Sequence, residues 1–292
     1  MNELVVSIAI AAVSFLAGWP RVHEAWEKYM TKERSQPPNQ PPIKNVLSKV
    51  RADNKLRIGV IPFPPLAAYR RLSGKDVAYH GLYVDIFEDI ALRTGIKVQF
   101  CPAPNDKAFA LLNSGTVDAI ACLLRTPERI RRADFAVLPH TISLNAVKRA
   151  DDNRISSISD LRKHNLRVVA VKGEIGSEVI TDFGVSPHQL TLLETDSVDD
   201  IFHLVENKAA DVAVTDGITC VQYLEDRKAS DLSFAFNSYP LLLEPCGIMT
   251  TQGQADLGSW LRDEFELSFT NEKIHAKHES LLTRFTHVLK CI

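Results

Sequence analysis

Apolar positions along this chain fall into two rhythms, short continuous runs and windows with helical spacing, which alternate from Leu56 onward. Residues 56–61 read as a strand. Over 85–94, Ile86, Phe87, Ile90 and Ala91 share one helical face, and Gly95 closes the helix. Residues 97–101 read as a strand, 107–113 as a helix ended by Gly115, and 117–124 as a buried strand. This βαβαβ order predicts an α/β sheet with helices on its faces. A second unit opens with a strand over 166–171. It continues through helices near 177–182 and 198–207, a strand over 211–215 and a helix over 218–226. Near the end, Leu257, Trp260, Leu261 and Phe265 recur at helical spacing, a stripe suited to core packing.

Ahead of this alternation, residues 4–19 form an unbroken uncharged run flanked by Glu3 and Arg21. Its length is at the short edge of a bilayer-spanning helix and also fits the core of a signal peptide. No Lys or Arg precedes the run and no clean small-x-small cleavage site follows it. An uncleaved anchor over 1–22 is therefore favoured over a cleaved signal. Residues 23–54 read as a linker, since the stretch TKERSQPPNQPPIK over 31–44 is polar, proline-rich and unable to form a core. A domain boundary is expected within 45–55.

The 292 residues suffice for two modest lobes, each with its own core. A formal net charge of −2, with no basic block carrying interleaved aromatics, argues against broad nucleic-acid binding. The five cysteines show no CxxC and no histidine at zinc-ligand spacing, so no metal is expected. No nucleophile elbow or phosphate loop is present, and Gly173-x-x-Gly176 lacks the third glycine of a dinucleotide site. No cofactor is expected.

Candidate chemistry concentrates in VDAIACLLRTPERIRRADF, residues 117–135. The strand runs into Arg125-Thr126-Pro127-Glu128-Arg129, where Thr126 can cap a helix and Pro127 suits its first position. A strand that meets a helix start beside a guanidinium offers a site for a carboxylate, because an arginine grips both of its oxygens. A surface turn with solvated arginines is the competing reading.

This segment resembles the "GxVDxIxxxxxTPER…DF" stretch of the family 3 solute-binding proteins, the periplasmic amino-acid receptors of ABC transporters. Further landmarks follow in the family's order: LRIGVIPFPPL at 56–66, GLYVDIFEDIALRTGIKVQF at 81–100, LLNSGTVDAI at 111–120, SISDLRKHNLRVVAVKG at 157–173 and VENKAADVAVTDGITCVQYL at 205–224. The resemblance implies a two-lobed type II periplasmic-binding fold, preceded here by the N-terminal hydrophobic helix. The chain would pass between lobes near 140–145 and 241–247. Lobe one then comprises 55–144 and 244–292, and lobe two 145–243. It also implies an ABC transporter permease as partner and a periplasmic location, anchored to the inner membrane through the N-terminal helix. Arg21, Lys28, Lys32 and Arg34 lie on the flank that the positive-inside rule keeps cytoplasmic, and the family resemblance is given precedence over that signal.

The same resemblance places residues in the cleft. Arg129 aligns with the arginine that pairs with a ligand α-carboxylate, with a structural salt bridge as its alternative. Asp216 aligns with the acid for the ligand ammonium, and could also cap the helix that follows it. Phe63 stands where the family presents an aromatic wall, or else packs in the core. Backbone amides from Gly173 to Ser177 would meet an anion. The departures are as informative. Where hydroxyls are usual after the lobe-two strand, this chain has Glu174 and Ile175. The approach to Arg129 is one residue shorter and reads Leu124-Arg125, and Asn105 falls near the usual second aromatic wall. The α-amino-acid anchor is thus half preserved, and an unusual amino acid, a polyamine-like cation or another polar metabolite would suit it. Two alternatives remain at this stage. One is an enzyme on the same fold, similar to the cyclohexadienyl dehydratases, with Glu174 as acid. The other is a sensing domain without transport.

Overall fold

The computed structural model describes residues 45–72, 76–105, 107–163, 165–195, 197–226, 231–236 and 240–292. The expected anchor and the first part of the linker, to residue 44, lie outside the described residues. Among the described residues no helix is long and apolar enough to cross a membrane.

The folded unit begins at Asn45. Val46, Leu47 and Val50 form the buried face of helix α1 (Val46–Asp53), and the side chain of its N-cap Asn45 accepts from the Ser48 amide at 3.0 Å. The Val46 amide donates to the Gln254 side chain at 2.9 Å. Residues 46–53, expected as part of the linker, form this helix instead, because three apolar residues at helical spacing outweigh the polar ones between them.

Next come strand β1 (Lys55–Val60), a hairpin of β2 (Ala68–Arg71) and β3 (Val77–His80), helix α2 (Leu82–Thr94), β4 (Lys97–Pro102), α3 (Ala108–Asn113) and β5 (Ala119–Leu124). After the single turn α4 (Pro127–Ile130) the chain enters β6 (Asp134–Arg149), a strand of 16 residues. A second βαβαβ follows: β7 (Val168–Val171), α5 (Ile175–Asp182), β8 (Leu190–Leu193), α6 (Asp199–Glu206) and β9 (Val212–Asp216). Helix α7 (Gly217–Asp226), β10 (Leu232–Phe234), β11 (Leu242–Thr250), α8 (Ala255–Ser268), α9 (Glu272–Arg284) and β12 (Leu289–Cys291) complete the described chain.

The main sheet has the order β4-β1-β5-β11-β6-β9-β7-β8, with β10 and β12 also paired to β6. Its ends are parallel blocks, β4-β1-β5 and β9-β7-β8, and antiparallel pairing of β11 and β6 joins them. The segments expected as passages between lobes fall within β6 and, apart from Leu241, within β11, which pair with one another there, Leu144 opposite Leu242 and Ile142 opposite Glu244.

Each block is locked by the same device. Asp118, just before β5, accepts from the Arg57 amide at 2.8 Å and from Arg57 Nε at 2.9 Å. Asp211, just before β9, accepts from the Arg167 amide at 2.8 Å and from Arg167 Nε at 3.0 Å. The motif aspartates thus tie the third strand of each block to the start of its first. Asp211 also accepts from Arg154 Nη2 at 2.8 Å, and these guanidinium bonds hold its carboxyl well below the usual range against the opposing effect of burial.

Asp211→Ala should therefore cost about 2–3 kcal/mol, since it strands a buried amide and removes charge-assisted bonds. Arg154 is 43% exposed, and Arg154→Ala should cost under about 1 kcal/mol. A depressed folded-state pKa stabilises above the unfolded value near 3.9 and is lost as pH falls below it. Urea melts at pH 7 and pH 3 should thus show the gap between wild type and Asp211→Ala shrinking at the lower pH.

Candidate functional site

The carboxyl ends of all six parallel strands converge on one cavity of about 360 Å³. β1 delivers Ile61 to Pro64, β4 Asn105, and β5 Cys122 to Leu124 with Arg129 beyond them. From the other block, β7 delivers Glu174 and Ile175, β8 Val198 and Asp199, and β9 Asp216, with α7 adding Thr219, Gln222, Tyr223 and Asp226. Crevices at strand carboxyl ends are where α/β sheets bind ligands.

Arg129 is held by the turn in which it lies. Thr126 caps α4 by accepting from the Arg129 amide at 3.3 Å, and Arg129 Nη1 folds back to donate to the Leu124 carbonyl at 3.0 Å. Its Nη2 crosses to the other block and donates to Glu178 Oε1 of α5 at 3.0 Å. The second oxygen of Glu178 is buried without a protein partner. Arg129 thus lines the cavity and is at the same time engaged in a salt bridge, the alternative role expected for it.

Asp216 caps α7, accepting from the Thr219 amide at 2.9 Å and the Thr219 hydroxyl at 2.6 Å, while remaining part of the cavity wall. Burial raises its pKa, and the bonds from Thr219 oppose that rise. Glu174, the residue just before α5, lines the same cavity as Arg129, and a close approach of helix to sheet brings it there. A Cβ on Gly176 would come within 2.3 Å of the Val214 carbonyl, so only glycine lets α5 pack on β9 at this distance. Burial first, and the Asp216 carboxylate next, push the Glu174 carboxyl up to about 7, with Arg129 acting in the other direction.

Cys122 adopts a left-handed φ of 62° inside β5, where the pairing with β11 slips between Gly247 and Met249. Such a bulge bends a strand and re-aims its side chains, here at the cavity rim. Its Sγ lies 3.7 Å from that of the buried Cys246, and both thiols are free.

Of the positions expected in the cleft, Phe63, Asn105, Leu124, Arg129, Glu174, Ile175 and Asp216 line the cavity. Arg125 and Gly173 are not among its lining residues. Arg125 is exposed while its amide extends the β5–β11 pairing by donating to the Pro245 carbonyl at 2.7 Å. Gly173 supplies a φ of 78° for the turn after β7, and the amides of Glu174 and Ser177, expected to meet an anion, donate to Val171 and Glu174 carbonyls instead. Sequence reasoning missed Thr219, Gln222, Tyr223 and Asp226. Their i, i+3, i+4, i+7 spacing marks one face of α7 and was the available signal.

A family model for the bacterial extracellular solute-binding proteins, family 3, matches residues 56–290. The chain belongs to this family. A probable histidine-binding protein of Neisseria gonorrhoeae is 27% identical over 207 residues, 68% of this chain and 74% of that one. Among solved structures, a mutant of ArgBP from T. maritima superposes with a TM-score of 0.65 at 20% identity, covering 81% of this chain and 99% of the other. The ancestral amino acid-binding protein AncCDT-1, a precursor of cyclohexadienyl dehydratase, gives 0.64 at 21% identity over 81% and 98%. At these identities the structural likeness concerns the fold, and the periplasmic-binding architecture expected from the sequence is the one observed.

The Glu174 carboxyl yields a signed expectation. A raised folded-state pKa stabilises below the unfolded value near 4.3 and is lost as pH rises through about 7. Glu174→Gln should thus be more stable than wild type at pH 8 by about 1–3 kcal/mol, with the advantage fading by pH 5. Chemical melts across this range check it; a pH-independent difference would mark Glu174 as solvated.

Proposed function

We propose that this family member captures a small polar, amino-acid-like ligand in the cavity between its two strand blocks and delivers it to an ABC transporter permease. The observation that carries this reading is that both blocks supply walls of one cavity from the carboxyl ends of their strands. A ligand there would touch both halves at once and stabilise their closure. Asp216 and Glu174 suit a ligand ammonium, and Phe63 offers a flat apolar face to its carbon chain.

On this reading the halves act as lobes, 55–144 with 244–292 and 145–243, hinged where β6 and β11 pass between them. The chain would work outside the inner membrane, tethered through residues 1–22 and the linker after them. Binding without turnover is the function, and no cofactor is required.

A carboxyl poised near neutrality favours a second reading, in which Glu174 protonates a leaving hydroxyl as a dehydratase would. Turnover of prephenate-like substrates would establish it.

A thermal-shift panel of amino acids, amines and organic acids tests the first reading, because a ligand that binds only the native state raises its melting temperature. With the ligand in hand, solution scattering should show a smaller radius of gyration at saturation. Asp216→Asn keeps an acceptor for Thr219 but removes the charge, and should weaken an ammonium-bearing ligand by roughly 10- to 100-fold in calorimetric titration. Unchanged affinity would place the ammonium elsewhere.

A further inference from the structure

The charge balance of the cavity is lopsided. Among the described lining residues there is one guanidinium, Arg129, against four carboxyl groups, those of Glu174 and buried Asp216 and those of the exposed Asp199 and Asp226. Arg129 is moreover paired. Its side chain is 8% exposed, donates to the Leu124 carbonyl and closes at 3.0 Å on Glu178, a residue of the opposite block. Glu178 is not among the residues that line the cavity, so it neutralises this guanidinium without itself standing in the cavity wall. A ligand bringing its own carboxylate has two routes. It can displace Glu178, which leaves that charge half-buried without its partner, or it can join an already neutralised arginine beside further carboxylates. Both are unfavourable beside the buried Arg129 and Asp216.

The acidic groups are also spread along the cavity. Asp216 lies at the start of α7 and Asp226 at its end, with Thr219 and Gln222 between them on the cavity wall. Helical rise alone separates Thr219 from Asp226 by roughly 10 Å. One ammonium cannot satisfy both ends of such a stripe, whereas a linear molecule with a charge at each end can.

Resting on the reading of this cavity as a ligand site, but not on an amino acid as its ligand, we infer that Glu178 neutralises the guanidinium a ligand carboxylate would need, and that the cavity selects a linear aliphatic amine with two or more ammonium groups and no carboxylate. Glu178 is then a specificity-determining residue: it engages the arginine with an internal anion, so the ligand is recognised by its cationic ends and its methylene chain.

Calorimetric titration of the full chain with cadaverine and lysine isolates the point, because the two share a skeleton and differ by the carboxylate. Lysinamide, which keeps the skeleton without a free carboxylate, should group with cadaverine. The wild-type protein should bind cadaverine and lysinamide at least ten-fold more tightly than lysine. Glu178→Gln frees the Arg129 guanidinium and should shift the preference toward lysine by ten-fold or more. Lysine binding as tightly as cadaverine, or a preference unaltered by Glu178→Gln, overturns the inference while leaving the site intact. Binding of a carboxylated ligand from a wider amino-acid panel, with no binding of amines, does the same. If no amine, amino acid or organic acid binds at millimolar concentration, the reading of the cavity falls with it. Melting curves of Glu178→Gln establish that the variant is folded before its affinities are compared.

Discussion

Everything in this molecule is organised around β6, whose 16 residues pair with β11 and β12 along one stretch and with β9 and β10 along the next. This strand borders the second block directly through β9 and reaches β5 of the first through β11, so its register sets where each block can lie. The carboxyl ends of β1, β4 and β5 face those of β7, β8 and β9 because the two blocks are joined through this antiparallel centre. The cavity follows from that topology, and individual side chains only specialise it.

The alternation of runs and helical windows made the two βαβαβ blocks legible in the sequence, down to the strands that contain the motif aspartates. Their role was not legible. Asp118 and Asp211 belong to the stretches that carry the family likeness most strongly, yet each accepts bonds from an arginine at the start of its block and lies away from the cavity. A recurring motif here marks a folding constraint, and the cavity is populated by less patterned neighbours. β6 was hard to read because its inner half is buried on both faces, so period-two alternation is absent there. Helix α1 was absorbed into the linker because its apolar face is only three residues wide.

The lining of the candidate cavity was legible in outline. Arg129, Asp216, Phe63 and Glu174 all came from positions along the chain, and all line the cavity. The pairing of Arg129 with Glu178 could not be read, since it joins residues of different blocks and depends on how α5 packs against β9 through Gly176. The α7 face was missed for a different reason: a polar stripe on a helix usually faces solvent, and only the junction of the blocks turns this one inward.

The order in which the sheet is completed has a consequence during synthesis. The second parallel block is contiguous in the chain, from β7 to β9, and can assemble as soon as it is made. The first, from β1 to β5, is contiguous too, but β5 finds its second neighbour only in β11, which arrives after the whole second block has been translated. Until then β5, buried at every position in the finished fold, presents an open apolar edge. Such an edge invites pairing with another chain, so the nascent protein is most exposed to association in the interval before residue 250 emerges.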